Sequence, residues 1–155
     1  MSNARARVVL VQSTDGYTPS AFPFVPLNGF QPANTATFYS VPINVDGLDT
    51  YRYVFATPAG STLVGTVQLQ ATVDEVGSLT GTPNAADLPA ADWVPLSFSV
   101  NGAAFANSFA VASGANQIAL DEAACTYAWL RMLFTFASGS GSPTCKLRGK
   151  GIQGR

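Results

Sequence analysis

Tyr127-Ala-Trp-Leu-Arg-Met-Leu-Phe-Thr-Phe136 decides the fold: apolar side chains fill both alternating sets of positions, and Arg131 is its one charge. Successive side chains of a strand point to opposite faces, so such a run belongs to a central strand covered on each side. Upstream, residues 64–73 alternate. Val67, Leu69, Ala71 and Val73 share one face, and Gln68, Gln70 and Thr72 share the other. That pattern predicts a half-buried antiparallel strand. Residues 48–55 (LDTYRYVF) and 36–43 (ATFYSVPI) are rich in aromatic and β-branched side chains and read as strands as well. Residues 93–100 alternate Val94, Leu96, Phe98 and Val100 with Trp93, Ser97 and Ser99, then meet Asn101-Gly102. Asn-Gly is a strong hairpin signal, because both turn residues need positive φ, and it sets Phe98 opposite Phe105.

Downstream, residues 145–152 are expected to return beside the 127–136 strand, with Ser138-Gly-Ser-Gly-Ser142 as a flexible hairpin tip. Cys145, Leu147, Gly149 and Gly151 take one face of this strand; Lys146, Arg148 and Lys150 take the other. Short strands at 8–12 and 117–120 bring the total to about eight. Only residues 84–91 (NAADLPAA) suit a helical turn, and Pro89 ends it. The reading is all-β: one antiparallel β-sandwich domain over residues 1–155, jelly-roll-like.

Two connections are long. Residues 13–35 hold Pro19, Pro23, Pro26 and Pro32 among Tyr17, Phe22, Phe24 and Phe30. Proline favours extended chain, while the aromatics need a surface that buries them. The segment is expected as an extended arm or loop, folded over its own sandwich edge or docked on a neighbouring subunit. Residues 77–92 read as a surface excursion rich in Gly, Pro and Ala. Large apolar groups of the central run, such as Trp129 and Leu133, need a cover from the second sheet or from another subunit.

Composition removes most catalytic chemistry. There is no histidine among the 155 residues and there are two cysteines, which excludes a His-based triad and a Cys/His zinc site. No Gly-x-Ser-x-Gly and no phosphate-binding glycine loop occurs. Asp74-Glu75 and Asp121-Glu122 read as solvated turn residues, since neighbours on a strand diverge and cannot form a glycosidase pair. Neither supports a calcium loop, so no catalytic residue, cofactor or metal is expected. With the expected hairpin, Cys145 faces Thr135 and Cys125 lies about 33 Å away, so both thiols are expected free and buried. Four apolar residues at 8–11 are too few for a signal-peptide core, and no run approaches a membrane span.

Charge is scarce, at 11% of residues with a net of −1, and it is sorted. Arg5, Arg7, Lys146, Arg148, Lys150 and Arg155 lie at the two ends, and all nine acids lie between Asp15 and Glu122. The basic terminal strand is either a solvated edge guarded by its cations or an attachment strip for an acidic surface. The absence of interleaved aromatics disfavours nucleic acid. Low charge with surplus apolar side chains suits a protein that works inside an assembly.

The stretches Gly65-Thr-Val-Gln-Leu-Gln-Ala-Thr-Val-Asp74, Trp93-Val-Pro-Leu96, Tyr127-Ala-Trp-Leu-Arg131, Phe134-Thr-Phe136 and Cys145-Lys-Leu-Arg-Gly-Lys-Gly151 carry a family likeness. Together they resemble the discoidin-like or carbohydrate-module-like β-sandwich of small virion proteins of tailed bacteriophages. The resemblance implies a structural virion protein of the capsid decoration or cement type, assembled in the host cytoplasm. It implies a homo-oligomer, such as a trimer, seated on the major capsid protein or another virion protein, away from membranes. The alternative it implies is a tail or fibre attachment module, including a glycan-binding one. Phe22, Phe24, Phe30, Trp129, Lys146, Arg148 and Lys150 are the interface candidates.

Overall fold

The computed structural model describes residues 6–13, 15–18, 21–26, 37–74, 76–77, 83, 87–88, 91–99, 103–123 and 126–152. They contain twelve strands: β1 (Ala6–Ser13), β2 (Asp15–Thr18), β3 (Ala21–Pro26), β4 (Thr37–Ser40), β5 (Ile43–Asn44), β6 (Thr50–Thr57), β7 (Val64–Thr72), β8 (Val94–Pro95), β9 (Phe109–Val111), β10 (Asn116–Ala123), β11 (Trp129–Ser138) and β12 (Thr144–Ile152). They form two antiparallel sheets, a β-sandwich. One sheet runs β1-β12-β6-β10; the other runs β3-β2-β4-β11-β7-β8, with β5 beside β11 and β9 beside β7.

The apolar run at 127–136 supplies β11, which sits centrally between β4 and β7 as its two-sided pattern requires. Leu130, Met132 and Phe134 face the other sheet, and all three are buried. Tyr51, Tyr53 and Phe55 of β6, with Leu147 of β12, meet them there. Phe134 stacks between Phe38 and Phe55, with ring centroids 5.0 and 5.7 Å away. Each of these rings removes a large apolar area from water, the main favourable term in folding.

The opposite face of β11 carries Trp129 and Arg131, and it too is covered. Val76, Leu88 of the 77–92 region and Tyr17 of β2 are buried with Trp129 in a second apolar cluster. Val76, Leu88, Ala91 and Trp93 thus form a lid over this part of the eight-stranded sheet. Asp74 Oδ2 accepts a hydrogen bond from the backbone N of Asp92 at 2.6 Å, which ties the returning chain down. Gln70 and Thr72, expected on a solvated face, are consequently buried, while Val73 lies just past the strand end and is exposed.

Four expectations need correction. Of residues 13–35, expected as an arm or loop, 15–18 and 21–26 form the paired strands β2 and β3, and β2 pairs with β4 through Gly16↔Ser40 and Tyr17↔Tyr39; residues 14, 19–20 and 27–35 lie outside the described residues. Edge strands tolerate proline, because half of their N–H groups face away from the sheet; Pro23 and Pro26 therefore fit β3. Secondly, β12 does not return beside β11: it crosses to the other sheet and lies between β1 and β6. Gly139, at φ +86°, makes the corner against the Thr62 carbonyl, and Ser140 N donates to Thr62 Oγ1 at 3.0 Å. A short Gly/Ser connection serves a hairpin or a crossing equally, and the crossing lets both strands aim apolar faces at one core. Thirdly, the Lys/Arg strand is therefore central, not an edge. Fourthly, Phe98 bridges to Ala106 rather than Phe105, and Phe105 is exposed. One residue of offset moves a side chain to the other face; the Asn101-Gly102 turn itself lies outside the described residues, as does Cys125.

Cys145 is free and buried, within a polar thread through the core. Ser40 Oγ accepts from Met132 N at 2.8 Å and lies 3.0 Å from the Tyr53 hydroxyl. Burial pushes the Cys145 thiol up to about 11 and Tyr53 well above the usual tyrosine range. The folded state thus holds the thiol neutral where the unfolded chain would ionise it. Its contribution is complete below pH ~9 and is lost as pH rises toward ~11, a difference of about 3 kcal/mol for this group. Denaturant unfolding is therefore expected to show stability falling between those values, and Cys145→Val to flatten part of the fall. An unchanged slope in that variant would contradict the assignment.

Candidate functional site

Strict alternation along β12 builds the site. Cys145, Leu147, Gly149 and Gly151 are buried, whereas Lys146, Arg148 and Lys150 are exposed. The inward glycines let another segment cross closely. A Cβ on Gly151 would collide with the Gly47 carbonyl oxygen, and Asp49 N donates to Lys150 O at 2.8 Å. The cations repeat every second residue, so their Cα atoms span about 13 Å along the strand. Because β12 is hydrogen-bonded on both sides, the row sits on rigid backbone rather than on a loop.

Its surroundings leave the charge unspent. Across β6, Lys146 faces Val54, Arg148 faces Arg52, and Lys150 faces Thr50. Arg52 turns the other way, to β10, where Nε and Nη2 donate to the two carboxylate oxygens of Asp121 at 2.6 and 2.9 Å. This bidentate pair holds the Asp121 carboxyl below the usual range and Arg52 above its own. Among the described residues no carboxylate pairs with Lys146, Arg148 or Lys150. The exposed side of β12 thus presents three like charges in a row, an arrangement suited to electrostatic docking. Among the described residues no cluster of three acids, cysteines or histidines is placed to hold a metal ion.

The other interface candidates fall differently. Trp129 is fully buried beneath the lid, so its cover comes from its own chain. Phe22 and Phe24 lie on β3. Phe30 lies outside the described residues.

A second constellation lacked a local signal. Arg131 is 7% exposed on the lid side of β11. Its guanidinium lies between two rings, 3.8 Å from the centroid of Tyr39 and 4.1 Å from that of Trp93. Nε donates to Gln70 Oε1 and Nη1 to the Tyr17 hydroxyl, both at 2.8 Å. Burial lowers the Arg131 pKa and raises that of Tyr17, and their mutual contact opposes both shifts. The cluster joins β2, β4, β7, β11 and the lid through one cation. Its groups are occupied by one another, so it acts as a latch. The sole sequence cue was a charge inside an apolar run, since Tyr17 lies 114 residues from Arg131.

No protein-family model matches the chain, and no curated protein matches it. Several solved structures are similar in shape. SPBc2 prophage-derived protein YomS is 10% identical with a TM-score of 0.47, over 97% of this chain and 98% of that one. The enzymatically active domain of bacteriophage CBA120 tailspike protein 4 is 14% identical with a TM-score of 0.38, over 97% of this chain and 19% of that one. The CBM22-1–GH10 modules of Clostridium thermocellum xylanase 10B are 13% identical with a TM-score of 0.35, over 96% of this chain and 25% of that one.

Proposed function

We propose that the chain is a structural virion protein that decorates the outer capsid, seating its four-stranded sheet on an acidic protein surface. The observation that carries this is the row Lys146, Arg148 and Lys150: three exposed cations on a central strand, with no acid pairing among the described residues. Such a row is costly to crowd together unless an opposite charge meets it, and it steers association with an acidic face. The likeness of residues 65–152 to small virion sandwiches supports the same reading, as does the low overall charge. Binding the assembled shell and not its unfolded subunits stabilises the shell by mass action.

The test uses particles grown from the encoding genome with this coding sequence disrupted. Purified protein is expected to co-sediment with them, and binding to weaken as salt rises from about 50 to about 500 mM. Lys146→Gln/Arg148→Gln/Lys150→Gln is expected to bind at least about tenfold more weakly, since rim charges each contribute modestly but act together. Equal binding by the triple variant, or no binding at low salt, would overturn the proposal. A saccharide captured on a glycan array in place of particle binding would point to the tail or fibre attachment reading.

A further inference from the structure

The four-stranded sheet ends in β1 on one side and β10 on the other, and the eight-stranded sheet ends in β3 and in the short strands β8 and β9. Three of these borders are protected. β3 contains Pro23 and Pro26, β8 is two residues long with Pro95, and β9 has three residues. β10 carries Asp121 and Glu122. β1 differs from all of them: it is eight residues long, pairs with β12 without a register shift, and holds neither charge nor proline from Val8 to Ser13. Among the described residues nothing pairs with its outer border, a regular row of backbone donors and acceptors, which proteins ordinarily blunt unless something pairs with it.

We infer that this border pairs with the β1 border of a second copy, antiparallel and about a two-fold axis normal to the sheet. The geometry restricts the register. Along an edge strand only every second residue turns its N–H and C=O outward, and directly opposed antiparallel residues exchange both hydrogen bonds or neither. Residues of like parity must therefore face each other, which puts a residue on the axis rather than a peptide bond. With Val9 on the axis, Val8 faces Leu10 and Arg7 faces Val11. With Leu10 on the axis, Val9 faces Val11 and Arg7 faces Ser13. Each register opposes branched apolar residues at its centre and brings no two arginines together. About six to eight backbone hydrogen bonds form in either one.

The two four-stranded sheets then become one of eight strands. The two-fold axis leaves both basic rows on the same outer face, three strand spacings or about 14 Å apart. That separation exceeds the screening length of physiological salt, about 8 Å, so the rows coexist with little repulsion. This last consequence rests on the particle reading above; the pairing itself does not.

Sedimentation velocity on the full chain, from about 1 to about 200 µM, is expected to show a monomer–dimer equilibrium. Leu10→Lys places like charges on or beside the axis and is expected to sediment as a monomer with an unchanged far-UV spectrum. Hydrogen exchange on the unaltered protein provides a check that needs no variant. In a dimer the amides of residues 8–12 are protected consecutively, and in a monomer every second one exchanges fast. A monomer throughout the range, alternating protection at high concentration, or a Leu10→Lys dimer would overturn the inference. A dimer that ignores particles would instead overturn the decoration reading, and a monomer that binds them would leave that reading standing.

Discussion

Arg131→Ala is expected to lower the unfolding free energy by about 3–4 kcal/mol. The truncation strands the Gln70 carbonyl oxygen and the Tyr17 hydroxyl in a buried site, and each such orphan costs about 1–3 kcal/mol. It also empties the slot between the Tyr39 and Trp93 rings, which a desolvated cation–π pair fills at about 2 kcal/mol. Removing a charge that has left water returns part of that sum. Arg131→Met separates the effects, because it keeps most of the volume and discards the charge. Its cost is expected to be about 2–3 kcal/mol, because the slot stays filled while the Gln70 oxygen and the Tyr17 hydroxyl are stranded as in the alanine variant. Chemical denaturation of both variants checks this. Equal losses would show that hydrogen bonding outweighs packing in the latch, and no loss from the alanine variant would refute the latch.

Trp129→Ala is expected to cost about 3–5 kcal/mol, the range for deleting a wholly buried aromatic side chain. The indole fills the space between β11 and the lid, where Val76 and Leu88 are also buried. Its Nε1–H is buried with no acceptor among the described residues, an unfavourable feature that a tryptophan core position usually avoids. Trp129→Phe removes that donor and keeps most of the ring, so its cost is expected to stay below about 1.5 kcal/mol. Thermal unfolding of the pair distinguishes a core role from an interface role. An interface tryptophan would change association and leave the monomer's unfolding unaltered.

The division between what was legible and what was not follows the range of each signal. β11 and the alternation of β12 were legible because period-two patterning is written in consecutive residues, and Lys146, Arg148 and Lys150 emerged with it. Their place in a central strand was not legible. It depends on β12 crossing to the sheet of β1 and β6, and Ser138-Gly-Ser-Gly-Ser142 is compatible with either path. Pro23 and Pro26 argued for a loop, yet proline is admissible on an edge, and whether a strand is an edge is decided by the assembled sheet. The lid was hidden for a related reason. Leu88 and Val76 sit in Gly/Pro-rich chain with no periodicity, and their burial depends on Trp129 lying beneath them. Tyr17, Tyr39, Gln70, Trp93 and Arg131 meet only after four strands have paired, so the latch leaves one local trace, an arginine in an apolar run.

The decoration reading stands or falls on what the four-stranded sheet faces. Electron cryomicroscopy of intact particles from the encoding genome measures this directly. The expected map shows a two-sheet sandwich on the outer shell, with β12 against the particle and Lys146, Arg148 and Lys150 within about 4 Å of carboxylates. A map without the sandwich, or one with the β12 face turned to solvent, would contradict it.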